Sequence, residues 1–333
     1  ELFNTMREDY EKKWDDLKIF IQYGILTDEK FAEKAANFML LKSIEGKYYT
    51  PAEYVESIKE AQTDKDGFTI ALYVDDIEGK NAFVEAAKAK GYDILEMNGQ
   101  LDSHYIQYFE SKNEKVRFVR VDSDVVENLI RKEERAAMSL SSEQQEIMRP
   151  VFESQMPTDA KIHYHVSFEA MSKDAAPVVI TQNEFMRRMK DMAATSGGEM
   201  SRFYGEMPDN FTITVNGNHP IVLDILGEVE REYGDKLRTM GKKITAAEQE
   251  EHRFEETIKG KKSEELTPEE RDMQEMLSKR ITELRMERDS RLEEIGKANN
   301  KVRQISDLAR LSNGMLKGKN LTEVIQRSIS LIE

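Results

Sequence analysis

The stretch "FTIALYV", residues 68–74, follows the polar turn "TDKDG" and breaks the helical pattern that precedes it. It is short, apolar and bounded by turn residues, and so reads as a strand. Downstream, a helical stretch follows Gly79, "YDILEM" (92–97) is a second strand, and another helix begins near Asp102. "KVRFVRV" (115–121) then alternates as a third strand. Alternating strand and helix implies a small, mostly parallel sheet with helices on its faces.

Upstream of this unit the pattern is helical. Met6, Tyr10, Trp14, Leu17 and Ile21 recur at helical spacing, with Gly24 as the expected stop. A second helix starts near Asp28, and a third at "TPAE", where Thr50 caps, Pro51 fits the first turn and Glu53 completes a capping box. Residues 122–156 are charged ("RKEERAAMSLSSEQQE") and read as a helical connector. A second unit follows, with strands "KIHYHVSF" (161–168), "PVVIT" (177–181) and "FTITVN" (211–216). His219 and Pro220 then open a helix expected to run to about Tyr233.

From Gly234 the chain is almost continuously charged. "ITAAEQEE", with Thr245 and Glu248, and "LTPEERDM", with Thr267, Pro268 and Glu270, each read as a helix start. Met273, Leu277, Ile281, Leu284, Leu292 and Ile295 form a sparse apolar stripe, too irregular for a long dimeric coiled coil. A projecting helical hairpin is expected. The chain closes as helix, glycine turn, helix.

With 333 residues, 34% charged, a net charge of −15 and no cysteine, the chain excludes disulfides and thiolate chemistry. Clustered phosphate contacts are not expected at this charge, so nucleic acid is not an expected partner. No apolar run approaches the roughly 20 residues that span a bilayer, so no membrane partner is expected, and the absence of cysteine fits a reducing, cytoplasmic compartment. The chain opens at Glu1 directly in a helical pattern, which reads as a piece of something longer.

Candidate chemistry is sparse. "VDDIEGKN" offers one glycine and two aspartates where a phosphate cradle needs several glycines. Asp75 and Asp76 stand at a strand end, either as catalytic acids or as caps of the next helix. His163 and His165 share one strand face and could share a metal, with no third ligand nearby in sequence. The segment "TQNEFMRRMKDMAATSGGEM" (181–200) is the most unusual, since methionine makes up most of its apolar face. Phe185, Met189 and Met192 share that face, with Met186 and Ala193 beside them, and Thr181 with Glu184 reads as a capping box. Methionine is adaptable and over-used at promiscuous binding surfaces, although an amphipathic helix can equally pack on its own domain. Leu308, Leu311, Val324, Ile325, Ile329 and Ile332 give the closing helices an apolar surface, which either docks at home or completes a two-fold bundle with a second copy.

The segments "YEKKWDDLKIFIQYGILTDEKF", "TPAEYVESIKEAQ" with "FTIALYV", "ITVNGNHPIV" and "ARLSNGMLKGKNLTEVIQRSISLI" together resemble the C-terminal portion of the ninety-kilodalton heat-shock chaperones, in their bacterial HtpG branch. The resemblance covers residues 1–233 and 302–333. It implies an α/β, multidomain fold of α+β type: helices and a small αβα middle subdomain (1–123), a helical connector (124–156) and a C-terminal dimerization domain (157–333). That domain carries a charged insertion (234–301), and its terminal helices form a four-helix dimer bundle.

The resemblance further implies a homodimeric stress-response chaperone that holds non-native clients. Its ATP and Mg²⁺ bind a domain upstream of this chain, so the chain itself has no cofactor and is not an enzyme. The family's amphipathic client-contacting helix falls on residues 185–194. This implies client contact by Phe185, Met186, Met189 and Met192, with Tyr105 and Tyr108 nearby, and dimerization by the six closing apolar residues named above. Three features depart from the family: the 234–301 segment, His104 where an aromatic is expected, and the lack of an acidic cochaperone-binding tail. A scaffold using the charged segment to dock a dedicated partner is the alternative.

Overall fold

The structure, a computed structural model, describes residues 2–131, 137–195, 198–262 and 265–329. The chain begins with α1 (Leu2–Thr5), α2 (Arg7–Lys12), α3 (Trp14–Thr27) and α4 (Glu29–Ala35). Helix α4 is capped by Asp28, which accepts a bond from Phe31 N at 3.1 Å. Gly24, the expected stop, lies inside α3. A Cβ there would stand 2.6 Å from the Phe31 ring, so the glycine admits a close approach between α3 and α4.

A two-stranded hairpin, β1 (Leu41–Lys42) with β2 (Tyr48–Tyr49), leads into α5 (Pro51–Gln62). The Thr50–Glu53 capping box forms as expected. Then come β3 (Thr69–Val74), α6 (Asn81–Ala89), β4 (Ile94–Glu96), α7 (Asp102–Lys112) and β5 (Val116–Arg120). The sheet is parallel, in the order β4-β3-β5. All six residues of β3 are buried, as a central parallel strand covered on both faces must be. One face packs on Trp14, Tyr54 and Ile106. The other packs on Phe83, Val84 and Leu129, the last from α8 (Val126–Leu129).

The second unit opens with α9 (Ser142–Glu153), capped by Ser141 and Gln144. Read as part of a connector, α9 instead sinks Met148, Val151 and Phe152 into the second core. Strands β6 (Ile162–Glu169) and β7 (Val178–Gln182), helices α10 (Glu184–Thr195) and α11 (Glu199–Gly205), and β8 (Asp209–Asn216) follow. Central β8 pairs parallel to β6 and antiparallel to β7.

Helix α12 (Pro220–Ile258) is capped by His219, whose Nδ1 accepts from Ile221 N at 3.1 Å. It runs 39 residues without a break, so the stop at Tyr233 and the restart at Thr245 do not occur. Gly234 and Gly241 each cost only about 1 kcal/mol in a helix interior. Burial of Leu237, Ile244 and Ala247 offsets this.

Helix α13 (Pro268–Ala298) starts at the expected Thr267–Glu270 capping box and packs against α12. Glu248–Arg285 at 2.6 Å and Glu250–Arg280 at 3.0 Å bridge this hairpin. At its base a Cβ on Gly296 would lie 2.3 Å from the Val151 carbonyl oxygen, so α9 and α13 touch backbone to backbone. Helices α14 (Asn300–Ser312) and α15 (Gly318–Ile329) end the described chain. No helix is long and apolar enough to cross a membrane among the described residues.

Candidate functional site

Helix α10 begins two residues later than the sequence suggests. Thr181 is buried in β7 rather than capping, and the cap is Asn183, whose Oδ1 accepts from Met186 N at 3.2 Å. Freed from a capping box, Glu184 turns toward the first unit. Its Oε1 accepts from the Tyr73 hydroxyl at 2.6 Å, from Arg187 at 2.9 Å and from Arg188 at 3.0 Å. Its Oε2 accepts from the backbone N–H of Arg120 at 3.2 Å.

Arg188 also reaches Glu110 Oε2 at 2.7 Å and the Phe118 carbonyl at 2.8 Å. Arg187 lies over the Tyr73 ring, 5.7 Å from its centroid, and pairs with Asp191. Both arginines are buried. The basic residues expected between exposed methionines are thus the anchors of the helix. Their partners in the first unit lie 70 to 114 positions away, where local periodicity cannot see them.

Burial alone would raise the Glu184 carboxyl, but the guanidinium charges of Arg187 and Arg188 outweigh it and hold it below its ordinary value. Burial, with the adjacent Glu184 carboxylate, drives the Tyr73 phenol well above its usual range, so it stays a donor. A second ionic group continues from this one. The buried Arg120 side chain donates to Asp122 at 2.8 Å and to Asp75 at 2.8 Å, and Lys80 meets Asp75 at 2.5 Å. Asp76 Oδ1 accepts from Gly79 N at 2.9 Å. Of the two strand-end aspartates, Asp75 is therefore an ion-pair partner and Asp76 closes a turn ahead of α6.

With its charged side seated, α10 turns Phe185 outward at 61% exposure and leaves Met186 and Met189 half-buried. Met192 is buried, as is Tyr105 in the first core, while Tyr108 is half-buried. Phe203 of α11, which the sequence reading missed, is also 61% exposed, and α11 packs on α10. His163 and His165 are exposed on β6.

On the closing helices Leu308, Leu311, Ile325 and Ile329 face outward, and Val324 is buried. Ile332 lies outside the described residues. Asp307 joins the two helices, accepting from Arg327 at 2.5 Å. Among the described residues the surface thus offers apolar contact area on α10–α11 and on α14–α15, besides Ile19, Phe20 and Tyr23 on α3 and the methionines Met273, Met276 and Met286 on α13.

The Hsp90 protein family matches residues 1–244. The chain is 43% identical over 331 residues to the chaperone protein htpG of Bacteroides fragilis, covering 99% of this chain and 48% of that protein. It is 41% identical over 331 residues to chaperone protein HtpG of Bacteroides thetaiotaomicron, with the same coverage. To the Porphyromonas gingivalis protein of that name it is 40% identical over 332 residues, 100% of this chain and 48% of that one. The chain spans about half the length of the curated relatives it matches. It belongs to the Hsp90 family. The charged hairpin and closing helices past residue 244 lie beyond the family match, yet they are shared with these relatives.

Proposed function

We propose that this chain is the dimerizing, client-contacting half of an ATP-driven, cytoplasmic chaperone whose nucleotide, with its Mg²⁺, binds the other half. This half then needs no cofactor and performs no hydrolysis. Residues 1–123 form the αβα middle portion, 124–156 lead from it into the second core through α9, and 157–333 dimerize, with α14 and α15 meeting their copies as a four-helix bundle. Clients are non-native proteins held on the outward face of Phe185, Met186 and Met189, joined by Phe203.

The observation that carries this reading is the inverted seating of α10. Arg187 and Arg188 are buried while Phe185 faces out and Met186 and Met189 stay half-exposed, so the apolar side of the helix is only partly spent on closing a core. Replacing Phe185, Met186 and Met189 with serine is expected to weaken binding of a partly folded client at least about tenfold while leaving dimerization intact. Unchanged client binding would sink the assignment. Sedimentation at micromolar concentration is expected to give twice the 38.5 kDa chain mass. A Leu308→Asp, Ile325→Asp variant is expected to sediment at the chain mass.

A further inference from the structure

We propose that residues 182–188 plug a strand-accepting sheet edge, and that the ligand this edge takes when the plug lifts is an extended polypeptide segment added alongside β5. Strand β5 is an edge strand, bonded only to β3 within its sheet. Its odd-numbered side faces β3: Lys115 O accepts from Thr69 N, and Val121 N donates to Tyr73 O. Successive peptide groups alternate sides, so residues 116, 118 and 120 present theirs outward. Left open, such a row is a template for another strand.

Val116 N donates to Asn113 O and Arg120 O accepts from Ser123 N in local turns, but both groups of Phe118 and the N–H of Arg120 are occupied by imitations of a strand. Phe118 N donates to the Glu110 carboxylate at 2.7 Å, and Phe118 O accepts from the Arg188 guanidinium at 2.8 Å. Arg120 N donates to the Glu184 carboxylate at 3.2 Å. Beyond the strand, Asp122 O accepts from the main-chain N–H of Gln182 at 3.2 Å. Carboxylates stand in for carbonyls and a guanidinium for an amide. Glu184 and Arg188 come from the opening turns of the helix that also carries Phe185 and Met186, and Glu110 from α7. A segment entering along β5 would take the bonds to Phe118 O, Arg120 N and Asp122 O with its own backbone, indifferent to sequence, while its side chains meet the adjacent α10 face. The inference rests on the proposed function only in taking a non-native polypeptide as the ligand.

The test uses a fluorescent peptide of alternating valine and threonine, and the same peptide N-methylated at every second residue on the edge that would face β5. The Glu184→Ala, Arg188→Ala double variant is expected to bind the unmethylated peptide about tenfold tighter than the unaltered chain, the size of a few main-chain hydrogen bonds. N-methylation is expected to abolish the gain. Should the double variant fail to fold by circular dichroism, Arg188→Lys serves. It keeps the charge but loses the fork spanning Glu110, Glu184 and Phe118 O, with about a threefold gain expected. No gain in a folded variant, or equal binding of the methylated peptide, overturns the proposal. The Phe185, Met186, Met189 serine variant separates the two readings. Peptide binding lost there and insensitive to methylation overturns the edge and keeps the client face. Partly folded clients held there at full strength, with the plug variants still gaining, overturn the client face and keep the edge.

Discussion

Arginine and glutamate pair in two settings in this molecule. Between α12 and α13 they meet across an exposed hairpin, as in Glu248–Arg285, with side chains 39% and 55% exposed. Beneath α10 they meet in a buried seam, where Arg187 and Arg188 are 6% and 10% exposed and share one carboxylate. The chemistry is the same, yet water is present in one place and excluded in the other. An exposed pair exchanges hydration for a weak, screened attraction. A buried set cannot lose a member without stranding charge in a poor solvent.

The sharpest way to break the comparison is Glu184→Ala. It removes the carboxylate that two buried arginines share, leaving Asp191 to Arg187 and Glu110 to Arg188, and is expected to cost about 3–5 kcal/mol in chemical denaturation. A cost near that of an exposed pair would show that the seam is hydrated. Acid probes the same carboxylate without mutation. Its folded pKa lies below the ordinary 4.5 of a free glutamate, so its contribution is complete above pH 4.5 and declines as pH falls through the folded value. The protection of the Arg120 amide, the slowing of its exchange relative to an unstructured amide at the same pH, is therefore expected to fall below pH 4.5 in the unaltered chain, and to lose that acid dependence in Glu184→Gln.

Gly296→Ala comes next. It tests contact by backbone rather than by charge, and overpacking against Val151 is expected to cost about 1–3 kcal/mol, read as a lowered melting temperature. The smallest effect belongs to Arg285→Ala in the hairpin, expected below about 1 kcal/mol and shrinking further with added salt.

These contrasts also show what the sequence makes legible. The buried strand 68–74, the starts at Thr50 and Thr267 and the histidine ahead of Pro220 are readable because their causes lie within a few residues. Gly24 and Gly234 mislead because a glycine's helix penalty is small, and packing from Phe31 in one case and Leu237 in the other overrides it. The methionine face of α10 is visible in the order of side chains. Its anchoring by arginine is not, because Tyr73, Glu110 and Phe118 reach it only through the fold. Met192 and Tyr105 show the same limit, since side chains that read as surface lie inside.

One consequence of the unbroken α12 is mechanical. At 1.5 Å per residue its 39 residues make a rod of about 58 Å. Val222, Ile225 and Val229 clamp its root in the second core, next to the sheet that carries α10. A tilt of about 5° at the root would sweep the far end through about 5 Å, by the same geometry. The hairpin is then a lever arm, and a load placed on its tip is felt as torque in the second core.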